Sequence, residues 1–159
     1  TAVLDGGGQQ GVIWVKMHVS PVSLQGLQIT NGRAGNGGGI RNDGTLTISD
    51  SEVDHCHVNG QGAGIYIAGA GWGATLTIIN TEIHDNAQGP VNDGGGGICN
   101  LGALNVSCSK IYQNAATNGG GILNGGIMTI ANSEIVHKHP ARVEPAIFRS
   151  RDSTFGSED

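Results

Sequence analysis

The residues of this chain that are best suited to chemistry are acids and histidines in two short segments that resemble each other. The first segment contains Asp54, His55 and His57, and the second contains His84 and Asp85. Imidazole and carboxylate groups transfer protons near neutral pH, and both ligate divalent metals. The sequence therefore predicts an acid–base site of Asp54, His55, His84 and Asp85, or a divalent-cation site of His55, His57 and Asp85. The alternative interpretation is a solvated polar rim at a turn.

An internal repeat accounts for the similarity of these segments. A glycine-rich phrase that ends in isoleucine recurs with a unit of about 24 residues plus insertions. The isoleucines of this phrase are Ile40, Ile65, Ile98 and Ile122. A second series of aliphatic anchors follows them at Val53, Ile83, Ile111 and Ile135. Apolar and polar residues alternate within each unit, which indicates β-strands with one buried face.

Short strands separated by Gly- and Asn-rich turns predict an all-β fold without helices. A unit this short cannot enclose a core alone, but stacked coils can, with equivalent strands about 4.8 Å apart. We therefore expect a single-stranded, right-handed parallel β-helix, a solenoid of about five coils, across residues 1–135. Residues 136–159 depart from the repeat and are interpreted as a C-terminal cap, arm or tail.

Stacking of the coils places equivalent residues in vertical columns. One predicted column contains Asp54, His84 and Tyr112. The next contains His55, Asp85, Gln113 and His137. Asparagines form two further columns, in which the side-chain amides are expected to bond along the stack. One column contains Asn42, Asn100 and Asn124 and is interrupted by Ile67; the other contains Asn86 and Asn114, with Cys56 in the equivalent place.

Composition and charge exclude several classes of protein. The 159 residues include 29 Gly, and only 4% of them are aromatic and 13% charged, which argues against a helical core. Eight Lys and Arg against thirteen Asp and Glu leave no basic patch for nucleic acid. No run of about 20 apolar residues is present, so no membrane-spanning helix is expected. The three cysteines lack zinc-site spacing and are interpreted as small, partly buried residues.

The repeat phrases resemble those of a known group of proteins. GGGIxNxGxLTI, around Ile40, and SxIxxN, around Ile111, resemble the repeats of right-handed β-helix proteins of the pectate-lyase-like superfamily. They are most similar to the polymorphic-outer-membrane-protein-type repeats of bacterial surface proteins. The resemblance covers about residues 3–135 and implies an extracellular or cell-surface location in bacteria. The sequence departs from the pattern at Val53-Asp54-His55-Cys56, which lacks the Asn.

The preferred functional hypothesis is a non-catalytic extracellular module, binding or structural, whose elongated faces contact polysaccharide or another surface partner. Segments 59–74 and 87–95 are expected to project from the coils, where an aromatic ring beside polar groups can hold a sugar. The predicted ligand-binding residues are Tyr66, Trp72, Asp93 and Tyr112. A homodimer through open coil ends or the C-terminal segment is also predicted.

Two other functions stay open. The first is a carbohydrate-active enzyme, a polysaccharide lyase or glycoside hydrolase, that uses the acid–base residues named above. The sequence contains none of the NTD, DD, GHG and RIK motifs found in polygalacturonase-like hydrolases. The second is ice binding by a flat strip of short polar side chains. The strip consists of Thr47, Thr77, Asn105 and Thr129.

Overall fold

The computed structural model of the chain describes residues 1–69, 71, 73–89, 94–137, 146–149 and 154–156. Within these ranges the chain forms short strands joined by turns and bends, and no helix. The strands lie in three six-stranded parallel sheets and one three-stranded parallel sheet. Each sheet takes its strands from successive coils, so that the chain forms a β-solenoid of about five coils. The predicted fold class is confirmed.

Each of the three long sheets forms one side of the solenoid. The first sheet consists of Ala2–Asp5, Leu27–Thr30, Glu52–Asp54, Glu82–His84, Lys110–Asn114 and Glu134–His137. The second consists of Ile13–Val15, Ile40–Asn42, Ile65–Ile67, Ile98–Asn100, Ile122–Asn124 and Ile147–Arg149. The third consists of Val22–Gln25, Thr45–Ser49, Thr75–Ile79, Ala103–Ser107, Ile127–Ala131 and Thr154–Gly156. The short fourth sheet consists of Arg33–Ala34, His57–Val58 and Ala87–Gln88.

The aliphatic anchors form the predicted vertical ladders. In the second sheet Ile65 pairs with Ile40 on one side and with Ile98 on the other, and Ile98 pairs with Ile122. In the first sheet, the pairs are Val53 with Ile83, Ile83 with Ile111 and Ile111 with Ile135. None of the buried apolar side chains in the described part of the chain is aromatic. The narrow interior is therefore filled by aliphatic residues, each of which stacks on the equivalent aliphatic residue of the next coil.

The glycines before the isoleucine anchors let adjacent coils approach closely. A Cβ atom placed on Gly64 would lie 2.6 Å from the carbonyl oxygen of Gly97. A Cβ atom on Gly97 would lie 2.6 Å from the carbonyl oxygen of Gly121. Both distances are shorter than real Cβ contacts. The close approach of neighbouring coils therefore requires glycine at this position in successive repeats.

Buried asparagines hold one turn of each coil against the next. The Asn86 side-chain oxygen accepts a hydrogen bond from the Cys56 backbone N–H at 2.9 Å. Its amide nitrogen donates to the Val53 carbonyl at 2.9 Å and to the Asn114 side-chain oxygen at 3.0 Å. Asn114 in turn accepts from the Asn86 backbone N–H. The predicted asparagine column with Cys56 in the equivalent place is confirmed.

A left-handed residue recurs at the same corner of the first sheet in successive coils, directly after the strand in three of them and within Lys110–Asn114 in the fourth. Its φ angle is 53° at Asn31, 50° at His55, 51° at Asp85 and 53° at Gln113. Asn, Asp and His are enriched in this conformation among non-glycine residues. The turn places His55 directly after Asp54, and Asp85 directly after His84, at the same corner of the solenoid. Two of the predicted site residues therefore owe their position to the backbone of this turn.

Two expectations about local structure are wrong. Segment 59–74 does not project as a whole, because Ile65–Ile67 is a regular strand and Tyr66 pairs with Arg41 and Cys99. His137 pairs with Asn114 and not with Gln113, because the register shifts between Ile111 and Asn114. An irregularity of this kind leaves the apolar pattern unchanged, so periodicity alone does not reveal it.

The described residues of the C-terminal segment continue the stack. Ile147–Arg149 pairs with Ile122–Asn124, and Thr154–Gly156 pairs with Ile127–Ala131. The rest of the segment lies outside the described residues, so its role as a cap, arm or tail stays a prediction. The described part of the chain holds no apolar helix of the length needed to cross a bilayer.

Candidate functional site

The predicted acid–histidine cluster lies on the outer face of the first sheet. His84 pairs in register with Asp54 in the preceding coil and with Tyr112 in the following coil. Val53 and Ile83 alternate with these residues and point into the core. The predicted column of Asp54, His84 and Tyr112 is therefore present.

Asp54 is a buried carboxylate although it lies on an outer face. Its side chain is 1% exposed because neighbouring side chains cover it. The Thr30 hydroxyl donates a hydrogen bond to Oδ1, and His55 Nδ1 lies 2.9 Å from the same oxygen. Gln28 donates to Oδ2 at 2.7 Å. These neighbours fix the orientation of the carboxylate.

The imidazole of His84 lies between two carboxylates. Its Nε2 is 2.7 Å from Glu52 Oε1, and its Nδ1 is 3.0 Å from Asp85 Oδ2. The side chain of His84 is 12% exposed and that of Glu52 is 38% exposed. Both ring nitrogens thus have an acidic partner, and one side of the cluster is open to solvent.

Tyr112 covers His84 from the next coil. The two rings stack with centroids 4.7 Å apart and an angle of 16° between their planes. The Tyr112 hydroxyl donates a hydrogen bond to Glu82 at 2.8 Å. Burial, together with the hydrogen bond to Glu82 and nearby acidic charges, raises the pKa of Tyr112 to about 12. The phenol is therefore neutral at physiological pH and orients the imidazole by stacking.

The surroundings shift the pKa values of the two central residues in opposite directions. Burial acts to raise the pKa of Asp54, but hydrogen bonds from Gln28, Thr30 and His55 outweigh burial and lower it. Burial acts to lower the pKa of His84, but hydrogen bonds to Asp85 and Glu52 outweigh burial and raise it. The arrangement therefore favours an ionised carboxylate beside a protonated imidazole, as an acid–base pair requires.

The predicted metal ligands do not form one group. His55 and His57 line a pocket of about 460 Å³ together with Asp5 and Arg33. Asp85 is instead bonded to His84. Among the described residues, the metal-ligating atoms that converge within 4.8 Å of one another belong to Glu52, Asp54 and His84.

Glu52 is the member of the cluster that sequence reasoning missed. It lies two residues before Asp54 and therefore shares the outer face with it. It also pairs with Glu82 in the next coil. The signal in the sequence was the repeated phrase Ser51-Glu52-Val53 and Thr81-Glu82-Ile83, which places an acid at the same position in two coils.

A second candidate site lies on the outer face of the second sheet and contains Trp14. The indole is 56% exposed, yet its N–H donates a 2.7 Å hydrogen bond to the buried carboxylate of Asp43. The Arg41 guanidinium forms a 3.0 Å ion pair with Asp43 and lies 4.9 Å from the centre of a Trp14 ring. The Lys16 ammonium lies 5.0 Å from a Trp14 ring centre. An exposed aromatic ring is therefore held in place beside two cations.

A groove of about 740 Å³ adjoins this tryptophan. Trp14 and Arg41 form one part of its lining, and Asn36, Asn59 and several glycines form another. Its volume lies within the range of about 300–1,000 Å³ that is usual for small-molecule sites. The combination of a fixed aromatic ring, cations and amide groups can bind a polar ring-shaped ligand through one face.

The predicted ligand-binding residues are distributed over both faces. Tyr66 lies next to Arg41 in the second sheet, and Tyr112 lies in the first. Trp72 and Asp93 lie outside the described residues. Trp14 was missed because the first coil lacks the full glycine-rich phrase. The available signal was an aromatic residue between two inward-facing aliphatic residues, Ile13 and Val15.

The strip considered for ice binding has the predicted register. Thr77 pairs with Thr47 and with Asn105, and Asn105 pairs with Thr129. The column beside it changes from Thr45 and Thr75 to Ala103 and Ile127. The strip is therefore one polar column and not a regular two-column array.

The fold and the two outer-face clusters define the class of this protein as a parallel β-solenoid with polar sites on its sides. Comparison of the chain with protein-family models, curated protein sequences and solved structures finds no match.

Proposed function

We propose that this protein is a non-catalytic glycan-binding module, an extracellular solenoid that contacts polysaccharide through its second sheet. The observation that carries the proposal is the exposed Trp14 ring, fixed by Asp43 at the edge of a groove of about 740 Å³. A hydrogen-bonded indole that stays more than half exposed offers a fixed, flat apolar surface on which a sugar ring can stack. The extracellular bacterial location is supported by the resemblance of the repeats to the pectate-lyase-like superfamily and to bacterial surface proteins.

The positive charges near Trp14 indicate which class of glycan would bind. Lys16 and Arg41 lie within about 5 Å of the Trp14 ring, and Arg41 also contacts Asp43. Arg41 lines the groove, cations near a groove attract anionic ligands, and an arginine fork binds carboxylates well. We therefore expect acidic polysaccharides to bind more tightly than neutral ones.

Replacing Trp14 with alanine is expected to weaken binding of a uronic-acid polymer at least about tenfold. A tenfold loss corresponds to about 1.4 kcal/mol, which matches one aromatic stacking contact with its buried area. Affinity electrophoresis in gels that contain the polymer measures the effect. Tyr112→Ala, which removes an aromatic ring from the opposite candidate site, is the matched control and should bind as the wild type does. Equal retention of the wild type and Trp14→Ala would contradict the proposal.

The second candidate function is a polysaccharide lyase or hydrolase at the first sheet. The observation that favours it is the acid–base arrangement of His84 with Asp85 and Glu52 beside the ionised Asp54. The same polymers, incubated with the protein and assayed for new reducing ends or unsaturated products, distinguish the two functions. Turnover that disappears in Asp85→Ala would establish the enzyme, whereas binding without turnover supports the module.

A further inference from the structure

We infer that Glu52, Asp54 and His84 form a binding site for a divalent transition metal of the zinc type. This site is separate from the proposed glycan groove, since it lies on the first sheet and the groove adjoins the second. It also differs from the set of His55, His57 and Asp85 that the sequence predicted.

The positions of the ligand atoms fit one ion. The His84 nitrogen and the carboxylate oxygens of Glu52 and Asp54 all lie within 4.8 Å of one another. Two atoms bound to one zinc ion lie at most about 4.4 Å apart, because each bond is about 2.0–2.2 Å long. Glu52 is partly exposed, so its side chain is the one that can adjust. His84 Nε2 and Glu52 Oε1 are 2.7 Å apart in a hydrogen bond, closer than two tetrahedral zinc ligands, which lie roughly 3.3–3.6 Å apart. Binding of an ion therefore requires loss of the proton between them and a small outward shift of the Glu52 side chain.

The residues that hydrogen-bond to His84 and Asp54 are arranged like those that support the ligands of known metal sites. A metal-bound histidine usually donates its other ring N–H to a carboxylate, and the Nδ1 of His84 lies 3.0 Å from Asp85 Oδ2. Asp54 is held by Thr30, Gln28 and His55 through three hydrogen bonds. An ionised carboxylate has about four acceptor positions, so one stays available for a metal. Asp85 and the neighbours of Asp54 therefore orient the two less exposed ligands before any ion binds.

Charge and donor type select the class of ion. Glu52, Asp54 and Asp85 place three carboxylates around one imidazole, so the cluster is negatively charged even when His84 carries a proton. One nitrogen and two oxygen donors suit zinc and its neighbours, whereas calcium prefers six to eight oxygen ligands. Glu52 is partly exposed, so solvent can supply a water molecule as the fourth ligand. Zinc is therefore expected to bind in preference to calcium and magnesium.

Isothermal titration of the whole chain with zinc chloride tests the inference, with calcium chloride as the comparison ion. One zinc ion is expected to bind per chain, and His84→Ala should abolish this binding. Asp85→Asn, which removes the carboxylate partner of Nδ1, should weaken it by about 10–100-fold. His18→Ala, an exposed histidine outside the cluster, is the matched control and should bind as the wild type does. Glu52→Gln, a conservative change at a partly exposed position, tests the same site if His84→Ala fails to fold.

The ligand set is checked independently by the imidazole nitrogen signals of His84 in NMR spectra. Addition of zinc should move the Nε2 signal of His84 and leave that of His57 unchanged. The inference is overturned if wild-type protein binds no zinc, if His84→Ala and Glu52→Gln bind it normally, or if His57→Ala abolishes binding. The last result would instead support the site predicted from the sequence.

Discussion

Replacing Ile98 with alanine is expected to lower the free energy of unfolding by about 2–5 kcal/mol. Ile98 is fully buried and lies in the middle of the second-sheet ladder, between Ile65 and Ile122. Removal of its side chain takes away apolar contacts with the coils on both sides and leaves a cavity. Because the coils are held by their neighbours, the surrounding backbone cannot collapse into that cavity without breaking strand pairing.

The matched control is the same substitution at Ile127. This isoleucine is 63% exposed and occupies an outer position of the third sheet. Its replacement by alanine should change the free energy of unfolding by no more than about 0.5 kcal/mol. Urea denaturation followed by circular dichroism measures both variants. Equal effects at Ile98 and Ile127 would be incompatible with a core inside the coils.

Replacing Asn86 with alanine should cost at least about 2 kcal/mol of unfolding free energy. The substitution leaves the Cys56 N–H and the Val53 carbonyl without their buried partners. Each buried polar group that loses its partner costs about 1–3 kcal/mol, because no water replaces the lost hydrogen bond. The amide of Asn86 joins three coils, since it also contacts Asn114. The effect should therefore exceed that of an ordinary side-chain truncation.

Asn105→Ala is the control for this experiment. Asn105 is an exposed residue in the outer column of the third sheet, between Thr77 and Thr129. Its loss should change stability by no more than about 0.5 kcal/mol in the same denaturation assay. A cost at Asn86 as small as that at Asn105 would mean that the asparagine column does not hold the turns together.

The coil architecture could be predicted because every coil repeats the same physical requirement. Each coil needs an aliphatic residue such as Ile65 to fill a narrow interior, and a glycine such as Gly64 where neighbouring backbones approach. A requirement of this kind leaves the same residue type at the same place in successive units. Register then follows directly, and it correctly placed Asp54 beside His84.

The details of the two sites could not be predicted because they depend on side-chain direction. Glu52 reads in the sequence as an ordinary polar residue of a strand, and only its orientation toward His84 adds it to the cluster. His55 and His57 have the right chemistry for a metal site, but the three ligand atoms that converge within 4.8 Å belong to Glu52, Asp54 and His84, and His55 only holds Asp54 in place. Periodicity specifies which residues share a face and not which atoms meet.

The groove beside Trp14 illustrates a second limit. Residues that lie far apart in the sequence, such as Gly11 and Asn59, line it together. The ring of Trp14 is fixed by Asp43, which lies 29 positions further along the sequence and in another coil. Neither relation is part of the repeat, because the first coil has lost much of the repeated phrase.

Methyl–methyl NOE spectra of the isoleucine side chains test the stacking of the coils most directly. We expect cross-peaks between Ile40 and Ile65, between Ile65 and Ile98, and between Ile98 and Ile122, since adjacent coils are about 4.8 Å apart. No direct cross-peak is expected between Ile40 and Ile122, which three coil spacings separate. Absence of the sequential cross-peaks, or a direct contact between Ile40 and Ile122, would contradict the solenoid and both sites built on it.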